Sequence, residues 1–516
     1  MGGGIAGLAA AALLIRDGGL PGSAIKIFEQ ASLPGGSLDG TGNPESGYVV
    51  RGGRMFEAHF GCTFDLFSTI PSLDNPEASV TDDILSFTHQ IVTLSKARIV
   101  VNGQKVEAPN LGLSLRDCWD LGKLSLSSET GLGDTTIEGY FAPSFFNTNF
   151  WIMWCTMFAF QPWHSLAEFR RYMRRFIHLL PGFNRLENIH RTTFNQYDSL
   201  VLPLVRWLND QGVSIQTDST AADVSLAHNN GKQQIKSLTV TTGDDCTVVD
   251  IGDDDLVLIT LGSMTEASTL GTMHTPAKLQ TDLNHGAWSL WHRLAARSEA
   301  FGHPDAFAGQ IDKTLWQSFT VTLHAPFFFQ FMQSFTGNTA GTGGLVTFRN
   351  SKWLMSIVLA HQPHFRGQPD DVFVFWGYGL HPQNQGDLIQ KPMLECSGSE
   401  ILQELFHHLP IGELGRDVIE NANCIPCIMP YITSQFMPHS VGDRPQVVPP
   451  AARNFALLGQ YCEVPEDTVF TVEYSVRTAQ LAVAQLLHLK HLVTPLYRGY
   501  RHPGVVIKAL RALLYT

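Results

Sequence analysis

The stretch GGGIAGLAAAALLIRDG, residues 2–18, opens with glycines at positions 2, 4 and 7 and continues as an apolar run. This spacing is the G-x-G-x-x-G pattern of dinucleotide-binding loops. In such a loop Gly2 permits the tight turn, Gly4 lets the backbone approach a pyrophosphate, and Gly7 lets the next helix pack closely. The Ala- and Leu-rich run predicts a helix over residues 5–16 that points its free N–H groups at the phosphates.

An acidic residue stands where a ribose-binding carboxylate is expected. The segment AIKIFE, residues 24–29, predicts a strand and ends at Glu29, about 20 residues beyond the glycine motif. The residues Gly36 and Ser37 follow, and far along the chain an apolar run, 454–458, leads into Gly459. A strand, a glycine and a helix near the end of the chain are typical of flavin domains, so the pattern favours FAD over NAD. The alternative is that Gly459 only makes a turn.

The glycine motif lacks the strand that normally precedes it. Only Met1 stands before Gly2, so the first strand of the βαβ unit is missing from this position. Either the chain is truncated or mis-started, or another segment takes the place of that strand. We therefore expect the loop to hold a flavin less firmly than a complete unit would.

The composition excludes several classes of protein. The chain has 516 residues with 44% hydrophobic and 16% charged, which indicates a core-rich globular protein of two or three domains. The net charge of −12 argues against a nucleic-acid partner. Eight scattered cysteines do not form a disulfide scaffold and fit a reducing, cytoplasmic location. No apolar run reaches the ~20 residues of a membrane helix.

The pattern of the chain predicts a mixed α/β fold with a Rossmann-like FAD-binding domain, an inserted substrate domain and a C-terminal helical segment. Further helices are predicted around 57–67, 200–208, 281–300, 400–408 and 471–489, and strands at 213–216, 237–242, 255–260 and within 315–380. The expected division is a discontinuous FAD-binding domain of 1–60, 190–270 and 445–485, substrate regions 61–189 and 271–444, and a basic tail, 486–516.

The C-terminal segment differs in charge from the rest of this acidic protein. From Tyr474 onward there is no Asp or Glu, and Lys508 and Arg511 lie on one face of a predicted helix with Val506, Leu510, Leu513 and Leu514 on the other. Such a helix suits an anionic membrane surface. The alternative is a docked terminal helix whose basic face is solvated.

Three other patterns have simpler interpretations. The phenylalanine clusters at 141–150 and 327–331 favour core, with an apolar pocket as the alternative. Cys424 and Cys427 form a C-x-x-C inside an apolar run that predicts a buried strand, with both thiols on one side and little redox reactivity. The pairs 361/364 and 407/408 are histidines without acids or cysteines at ligand spacing, so no metal site is expected. There is no G-x-S-x-G hydrolase elbow.

Long segments of the chain resemble the oleate hydratase family, also called the myosin-cross-reactive antigen family. The likeness spans nearly the whole chain and is carried by IFEQASLPGGSLDGTGNPESGYVVRGGR (27–54), FWIMWCTMFAFQPWHSLAEFRRYMRRFIH (150–178), NQYDSL (195–200), GHPDAF (302–307), MPYITSQFMPHSVGDRP (429–445) and DTVFTVEYSVRTAQLAV (467–483). The resemblance implies hydration of the cis double bond of an unsaturated fatty acid such as oleate. It also implies bound FAD without net redox change, peripheral membrane association in some members, and a homodimer in many. The phenylalanine clusters then lean toward lining a fatty-acid channel.

The resemblance assigns roles to particular positions. Arg51, Gly52 and Gly53 form the loop beside the flavin, and the family's water-activating Glu comes directly after it, where this chain has Met55. Glu57, two residues further on, is the candidate to replace that base, but we favour the alternative that it is a surface acid or an acid in the first turn of a helix. The family's Tyr proton donor falls within the FW-x-x-W motif, where this chain has Ile152 and Met153, which cannot donate a proton.

The same resemblance places the substrate carboxylate against the PYITSQF segment. Thr433 and Gln435 are its hydrogen-bond donors, and His439 stands where the family often has Arg. A neutral imidazole holds a carboxylate less firmly than a guanidinium. The alternative is that these residues only form hydrogen bonds with backbone groups at the ends of strands.

Three functions therefore remain open on the sequence. The first is a FAD-dependent fatty acid hydratase. The second is a family member that binds FAD and fatty acid but has lost catalysis. The third is a flavin oxidoreductase acting on an apolar substrate.

Overall fold

The computed structural model describes residues 2–53, 55–132, 134–280, 286–490 and 493–515. Its α-helices are α1 (Ile5–Arg16), α2 (Gly61–Phe67), α3 (Val80–Gln90), α4 (Leu115–Leu126), α5 (Ile137–Tyr140), α6 (Asn149–Phe158), α7 (Leu166–Arg175), α8 (Leu202–Asp210), α9 (Gly286–Ala295), α10 (Asp305–Ala308), α11 (Ile311–Thr314), α12 (Phe327–Thr336), α13 (Gly398–His407), α14 (Leu414–Glu420), α15 (Val472–Leu486) and α16 (Pro503–Tyr515).

The strands complete a mixed α/β architecture, which confirms the predicted fold class. They are β1 (Lys26–Phe28), β2 (Gly40–Asn43), β3 (Gly47–Val50), β4 (Ala97–Val101), β5 (Gln104–Glu107), β6 (Ser214–Gln216), β7 (Ser219–Asn229), β8 (Lys232–Thr242), β9 (Asp245–Asp250), β10 (Val257–Thr260), β11 (Thr269–Leu270), β12 (Trp316–Leu323), β13 (Gly344–Phe348), β14 (Met355–Leu359), β15 (Phe373–Gly379), β16 (Ala422–Met429) and β17 (Phe455–Leu458).

Two parallel strand pairs flank the glycine loop. β1 pairs with β6, and β10 pairs with β17. Within the described residues no strand lies between β1 and β10, and the loop spans that gap. The Gly2 amide donates to the Phe28 carbonyl at the end of β1, and the Gly2 Cα lies against Thr260 at the end of β10. The loop therefore joins the carboxyl ends of both pairs.

Helix α1 is held by packing on all sides. Nearly all of its side chains are buried, from Ile5 to Leu14, against α15, α8 and β10. A helix that is apolar all round belongs in the interior, as the sequence predicts. Its first turn meets the cleft end of the strand pairs, and this contact fixes where the helix N-terminus points.

The larger sheet lies on the other side of the molecule and is mostly antiparallel. Its order is β11-β16-β12-β15-β14-β13-β4-β5, with only the β13–β4 pair parallel. The β2–β3 hairpin packs on it, because the amides of Tyr48 and Val50 donate to the hydroxyls of Thr322 and Thr320. The segment that follows this hairpin, beginning at Arg51, is thereby fixed between the two sheet systems.

Most predicted elements are confirmed, with shifted ends. The strands predicted at 213–216, 237–242, 255–260 and 454–458 correspond to β6, β8, β10 and β17. The helix predicted over 57–67 begins only at Gly61, and the 315–380 region contains helix α12 among its strands. Of the helix predicted over 281–300, residues 281–285 lie outside the described residues. The domain boundaries stay a prediction.

The phenylalanine clusters are mostly core. Phe141, Phe145, Phe150, Phe328 and Phe329 are each at most 4% exposed. They pack against other aromatic rings in the interior and line none of the cavities described below. The core interpretation is therefore confirmed for these five residues, which give no support to channel lining, whereas Phe327 is 53% exposed and Phe146 and Phe331 are partly buried.

Two of the sequence arguments about cysteine and histidine are wrong. Cys424 and Cys427 are buried on β16 as predicted, but they face opposite cores, because residues three apart on a strand point to opposite sides. Acids do approach one of the histidines: His408 Nε2 lies 3.4 Å from Asp387 Oδ2 and 3.5 Å from Glu404 Oε1. Glu404 precedes His408 by four residues, so the inference that no acid lies at ligand spacing is wrong on the sequence itself, whereas Asp387 is brought in by the fold.

The C-terminal helix has two apolar rows rather than one. Ala509, Ala512 and Leu513 are buried, and the helix packs against the turn at 177–185 and against α4. Ile507, Leu510 and Leu514 are 45–51% exposed and share the outer face with the basic residues. The predicted separation of an apolar face from a basic face is therefore wrong at Leu510 and Leu514, which are exposed with the basic residues, and holds at the buried Leu513. In the described part of the chain, no helix is long and apolar enough to span a membrane.

Candidate dinucleotide cleft and adjoining cavities

A solvent-open cleft of about 960 Å³ lies where the parallel strands end. Glu29 follows β1, Thr260 ends β10, and Gly459 follows β17, so three strand ends contribute to one wall. The first turn of α1 forms the opposite wall. Ligands of open α/β sheets bind at this place, outside the carboxyl ends of the strands.

The glycines of the motif are required for different reasons. A Cβ on Gly7 would lie 2.0 Å from the Gly2 carbonyl oxygen, so only glycine lets the helix approach its own loop. Gly2 has φ +93°, which disfavours other residues. A Cβ on Gly4 would meet nothing nearer than the Gly36 Cα at 3.9 Å, so the space beside Gly4 belongs to the cleft. This is the close approach that a pyrophosphate needs.

The other predicted cofactor residues complete the cleft wall. Gly36 and Ser37 line it, and the Gly35 amide donates to the Gly3 carbonyl, which ties the second loop to the first. Gly459 also lines the cleft at φ +96°, with its amide donating to Thr478 Oγ1. The sequence prediction that these distant segments meet is consistent with this geometry.

Glu29 faces the loop with both carboxylate oxygens. Its Oε2 accepts from the Gly3 amide at 2.5 Å and its Oε1 from the Ala31 amide at 2.8 Å. Each oxygen keeps a second lone pair for a ribose hydroxyl. The buried hydroxyl of Thr260 beneath Gly2 has no hydrogen-bond partner among the described residues. A buried polar atom of this kind requires a partner, and a cofactor in the cleft supplies one.

We expect Gly4→Ala to weaken FAD binding by at least tenfold, about 1.4 kcal/mol, with little change in the fold. The added methyl points into the cleft and not into protein atoms. Flavin fluorescence titration measures the affinity, and Gly122→Ala, also free of neighbours within 4 Å, is the matched control. Gly7→Ala should instead lower thermal stability. Unchanged flavin affinity in Gly4→Ala would show that the phosphates bind elsewhere.

The loop 51–53 lies away from this cleft. Arg51 pairs with Asp39 at 2.7 Å, and neither Gly52 nor Gly53 lines the glycine-loop cleft. Both glycines line a cavity of about 540 Å³, and Gly53 also lines another of about 590 Å³. A contact of this loop with the far end of a flavin stays a prediction.

The cavity of about 590 Å³, here called the Met55 cavity, contains two of the three predicted catalytic positions. Met55 and Glu57 both line it, together with Phe60, Phe158, Tyr172 and other mostly apolar residues. Met153 does not line it and is only 1% exposed in the core. Met157, one helical turn later on α6, reaches the cavity instead. Met153, at the position that the resemblance assigns to the proton donor, therefore lies one helical turn away from the wall of the Met55 cavity.

Glu57 is the centre of a buried charge network that the sequence did not reveal. Arg175 Nη1 donates to its Oε1 at 2.7 Å, while His59 Nδ1 and His178 Nε2 lie 2.9 and 3.1 Å from its Oε2. Burial raises the pKa of Glu57, but the hydrogen bonds from His178 and His59 and the Arg175 charge outweigh it and hold this pKa well below its usual range. Glu57 is therefore an ionised carboxylate.

The favoured interpretation of Glu57 as a surface or helix N-terminal acid is wrong. The side chain is 1% exposed, and α2 begins only at Gly61. The prediction for Glu57 considered only its neighbours in sequence. Two of its partners are distant: Arg175 is the last residue of α7, and His178 follows that helix. A run of arginines on a helix gave no sign that one of them would be buried against this residue.

Because the folded pKa of Glu57 lies below its unfolded value of about 4.3, its stabilising effect is present above that pH and is lost as the pH falls. We expect Glu57→Gln to cost about 3–5 kcal/mol at pH 7, since it leaves Arg175 buried without its partner. The difference from wild type should shrink below about pH 4.3. Urea denaturation across pH measures this.

The exposed Glu77→Gln is the control for that comparison, and it should behave like the wild type at every pH. A Glu57→Gln difference that stays constant down to pH 3 would contradict an ionised, stabilising Glu57.

Tyr172 and Tyr197 lie in two of the motifs that carry the resemblance, and both are held by contacts within the protein. Tyr172 lines the Met55 cavity but donates its hydroxyl to the Val469 carbonyl at 2.5 Å. Tyr197 packs beside Gly35 and Gly40, and burial raises its pKa. Neither tyrosine therefore presents a proton to the cavity as it stands.

The predicted carboxylate-binding residues are engaged with the backbone. Thr433 Oγ1 donates to the Thr314 carbonyl at 2.9 Å, and Gln435 Nε2 to the Ile432 carbonyl at 3.0 Å. His439 Nδ1 lies 2.9 Å from the Met437 carbonyl, and burial, with the Arg444 charge, lowers its pKa to about 4. His439 is therefore neutral, and none of the three lines a cavity described here.

The cavity of about 540 Å³, here called the Arg191 cavity, adjoins the Met55 cavity at Gly53. Phe87, Thr192, Phe194 and His361 line both it and an outer cavity of about 820 Å³ beside α3. The three cavities thus follow one another. Sequence reasoning missed Arg191, because a single arginine in a loop carries no motif.

The strand pairs, the glycine loop and the acid define an α/β protein with a dinucleotide-type cleft. The chain matches the MCRA family over residues 1–484. It is 40% identical to an oleate hydratase of Streptococcus pyogenes, covering 100% of this chain and 88% of that protein. It is 31% identical to a linoleate hydratase of Lactiplantibacillus plantarum, covering 99% and 97%. The chain therefore belongs to the MCRA family, and the resemblance seen in its motifs is confirmed.

The fold also resembles a solved structure of low sequence identity. It matches the crystal structure of an oxidoreductase from Methanosarcina mazei with a TM-score of 0.52 and 13% identity, covering 94% of this chain and 98% of that one. At this identity the match supports the shared fold alone.

Proposed function

We propose that the protein hydrates the cis double bond of unsaturated fatty acids with FAD bound in the glycine-loop cleft. The full-length identity with relatives named oleate hydratase and linoleate hydratase carries this proposal. The Met55 and Arg191 cavities support it, because most of their lining residues are apolar and an alkyl chain needs such a lining.

The cleft residues support FAD as the cofactor. The backbone beside Gly4 and the N-terminus of α1 suit the pyrophosphate, and Glu29 suits a ribose. When bound, FAD supplies a flat ring system that shapes the site, in a reaction without net change of redox state. The chemical steps fall to the protein and to water.

Hydration of an alkene passes through a carbocation-like state. The Met55 cavity offers one group that stabilises such a state, Glu57, but no strong base. The ionised Glu57 at its wall stabilises positive charge and orients a water molecule. Its depressed pKa makes it a weak base, because a base works best with a pKa near the working pH. Met55 at the same wall contributes no base. We therefore expect a slow hydratase that relies on positioning and electrostatics.

The alternative is a member of the family that binds its ligands without turnover. Met55 and Met153, at positions that the resemblance assigns to the base and the acid, favour it. A flavin oxidoreductase is the third possibility, and no residue of the cavities favours it.

We expect anaerobic incubation with FAD and oleate in heavy-oxygen water to give hydroxystearate that carries the label, with the flavin spectrum unchanged. Water is then the source of the hydroxyl oxygen, and mass spectrometry detects the label. Bound oleate without product would support the inactive alternative. Flavin reduction by the substrate would contradict both.

In the same assay, Met55→Glu should raise the rate at least tenfold, because it places a carboxylate at the cavity wall, and general-base catalysis contributes about a hundredfold or more. Met55→Gln, of equal length but unable to accept a proton, should not. Equal rates in the two variants would show that position 55 does not take up a proton.

We also propose that the protein contacts anionic membranes through a surface on α4 and α16. Leu115, Trp119 and Leu126 on α4 are 74–89% exposed, close to the exposed apolar row of α16. The helices touch, since Cys118 Sγ donates to the Leu513 carbonyl. Basic side chains flank the apolar ones, namely Arg116, Lys123, Lys508 and Arg511. An apolar patch rimmed by cations suits an anionic interface.

Lys508→Gln combined with Arg511→Gln should lower binding to phosphatidylglycerol vesicles more than tenfold, since each charge contributes about 1 kcal/mol. Vesicle co-sedimentation at low and high salt measures this. The control pair Lys232→Gln and Lys236→Gln lies on the distant strand β8 and should not change binding. Equal loss in both pairs would contradict a localised surface.

A further inference from the structure

Two arginines differ from the others among the described residues, because each has two guanidinium nitrogens that are buried without a hydrogen-bond partner; Arg98 is buried as a whole, and Arg191 is partly buried. Arg98 on β4 is 1% exposed, and its Nη1 donates to the Phe183 carbonyl. Its Nε and Nη2 atoms are buried without hydrogen-bond partners. The Nε and Nη2 atoms of Arg191 are likewise buried and unpartnered. Within the described residues, neither arginine has a carboxylate within 4.0 Å.

The remaining buried arginines show what is normal here. Four of these five have a carboxylate at 2.6–2.7 Å, namely Arg171 with Glu463, Arg175 with Glu57, Arg444 with Glu168 and Arg477 with Asp467, and the fifth, Arg170, has Glu129 at 3.5 Å. Burying a guanidinium without an anion is costly, so proteins pair such groups. Arg98 and Arg191 are close enough for the charge of Arg191 to oppose that of Arg98, while burial, the larger effect, lowers the pKa of each to about 10. Both remain cations at neutral pH.

The surroundings of Arg191 indicate which kind of anion this guanidinium is suited to bind. Arg191 lines the cavity named after it, whose other walls include Val50, Phe87, Val358 and Trp376. Burial lowers the pKa of His364 to about 4 and that of His361 below its usual value, so both imidazoles of this cavity are neutral. The anion therefore meets one guanidinium among neutral side chains: Thr192, Gln196 and the two histidines are polar, and the other lining residues are apolar or glycine. This suits a carboxylate on an alkyl chain.

A phosphate of the dinucleotide fits this place less well. The glycine-loop cleft and the Arg191 cavity share no lining residue, and the phosphates already have the N-terminus of α1. The Arg191 cavity instead adjoins the Met55 cavity at Gly53, where the double bond is expected to react.

We propose that Arg191, with the adjacent Arg98 charge behind it, anchors the carboxylate of the fatty acid, whose chain passes Gly53 into the Met55 cavity. This rests on the proposed function. It replaces the expected anchor at Thr433, Gln435 and His439, of which the first two are bonded to the backbone and the third is neutral. A guanidinium also binds a carboxylate more strongly than these groups do.

The test compares oleate with oleyl alcohol, which has the same chain without the charge. By isothermal titration the wild type should bind oleate at least tenfold more tightly. Arg191→Met should lose at least tenfold in affinity for oleate and keep its affinity for oleyl alcohol within twofold. Arg206→Met, which removes an exposed arginine from α8, is the matched control and should retain the preference.

A second measurement does not depend on the ligand. Removing an uncompensated buried charge should leave the thermal midpoint of Arg191→Met, without ligand, equal to or above that of the wild type. A clear fall would mean that Arg191 has an internal partner and would overturn the anchor.

Other outcomes separate the anchor from the proposed function. An Arg191→Met protein that still prefers oleate, or loss of that preference in Thr433→Val instead, would overturn the anchor and leave the hydratase proposal standing. A wild-type protein that binds neither ligand would overturn both.

Discussion

The close approach of the glycine loop to the ends of the two parallel strand pairs is the constraint on which the dinucleotide cleft depends. The Gly2 amide bonds to the end of β1 while its Cα lies against Thr260 of β10. Gly7 then allows the apolar helix α1 to follow without a clash. Because the loop touches both pairs, the acid after β1 and the glycine after β17 face the same space. Nothing larger than hydrogen at these positions permits that convergence.

The site beside this cleft combines apolar walls with a few buried charges. Glu57 accepts a hydrogen bond from Arg175 and lies within hydrogen-bond distance of two histidines, so it stays ionised in the interior. Arg191 has no such partner among the described residues, and its compensation is expected from the ligand. The two charges thus have different meanings. Glu57 belongs to a structural network that reaches the cavity wall, and Arg191 is the group proposed to bind the anion.

Prediction from the sequence worked best where function depends on backbone. The glycine spacing, the strand ending at Glu29 and the return through Gly459 are local patterns, and the structure brings all of them to one cleft. It worked less well for side chains whose partners are distant. Glu57 was assigned to a surface, and Cys424 and Cys427 to one face of a strand, although an odd separation puts them on opposite faces. The basic run of α7 was visible, but not its burial.

By itself, the sequence determined that this is a mixed α/β protein with a dinucleotide-type loop and that it belongs to the MCRA family. These conclusions depend on the spacing of glycines and apolar residues and on long sequence motifs. Only the tertiary structure decided that Met153 lies one turn away from the cavity, that Glu57 is ionised, and that two guanidinium nitrogens of Arg191 are buried with no carboxylate near them among the described residues. The reason is physical. A residue's charge state and exposure depend on neighbours that the fold brings from far along the chain. The conformation of the glycine loop, in contrast, depends mainly on its own residues.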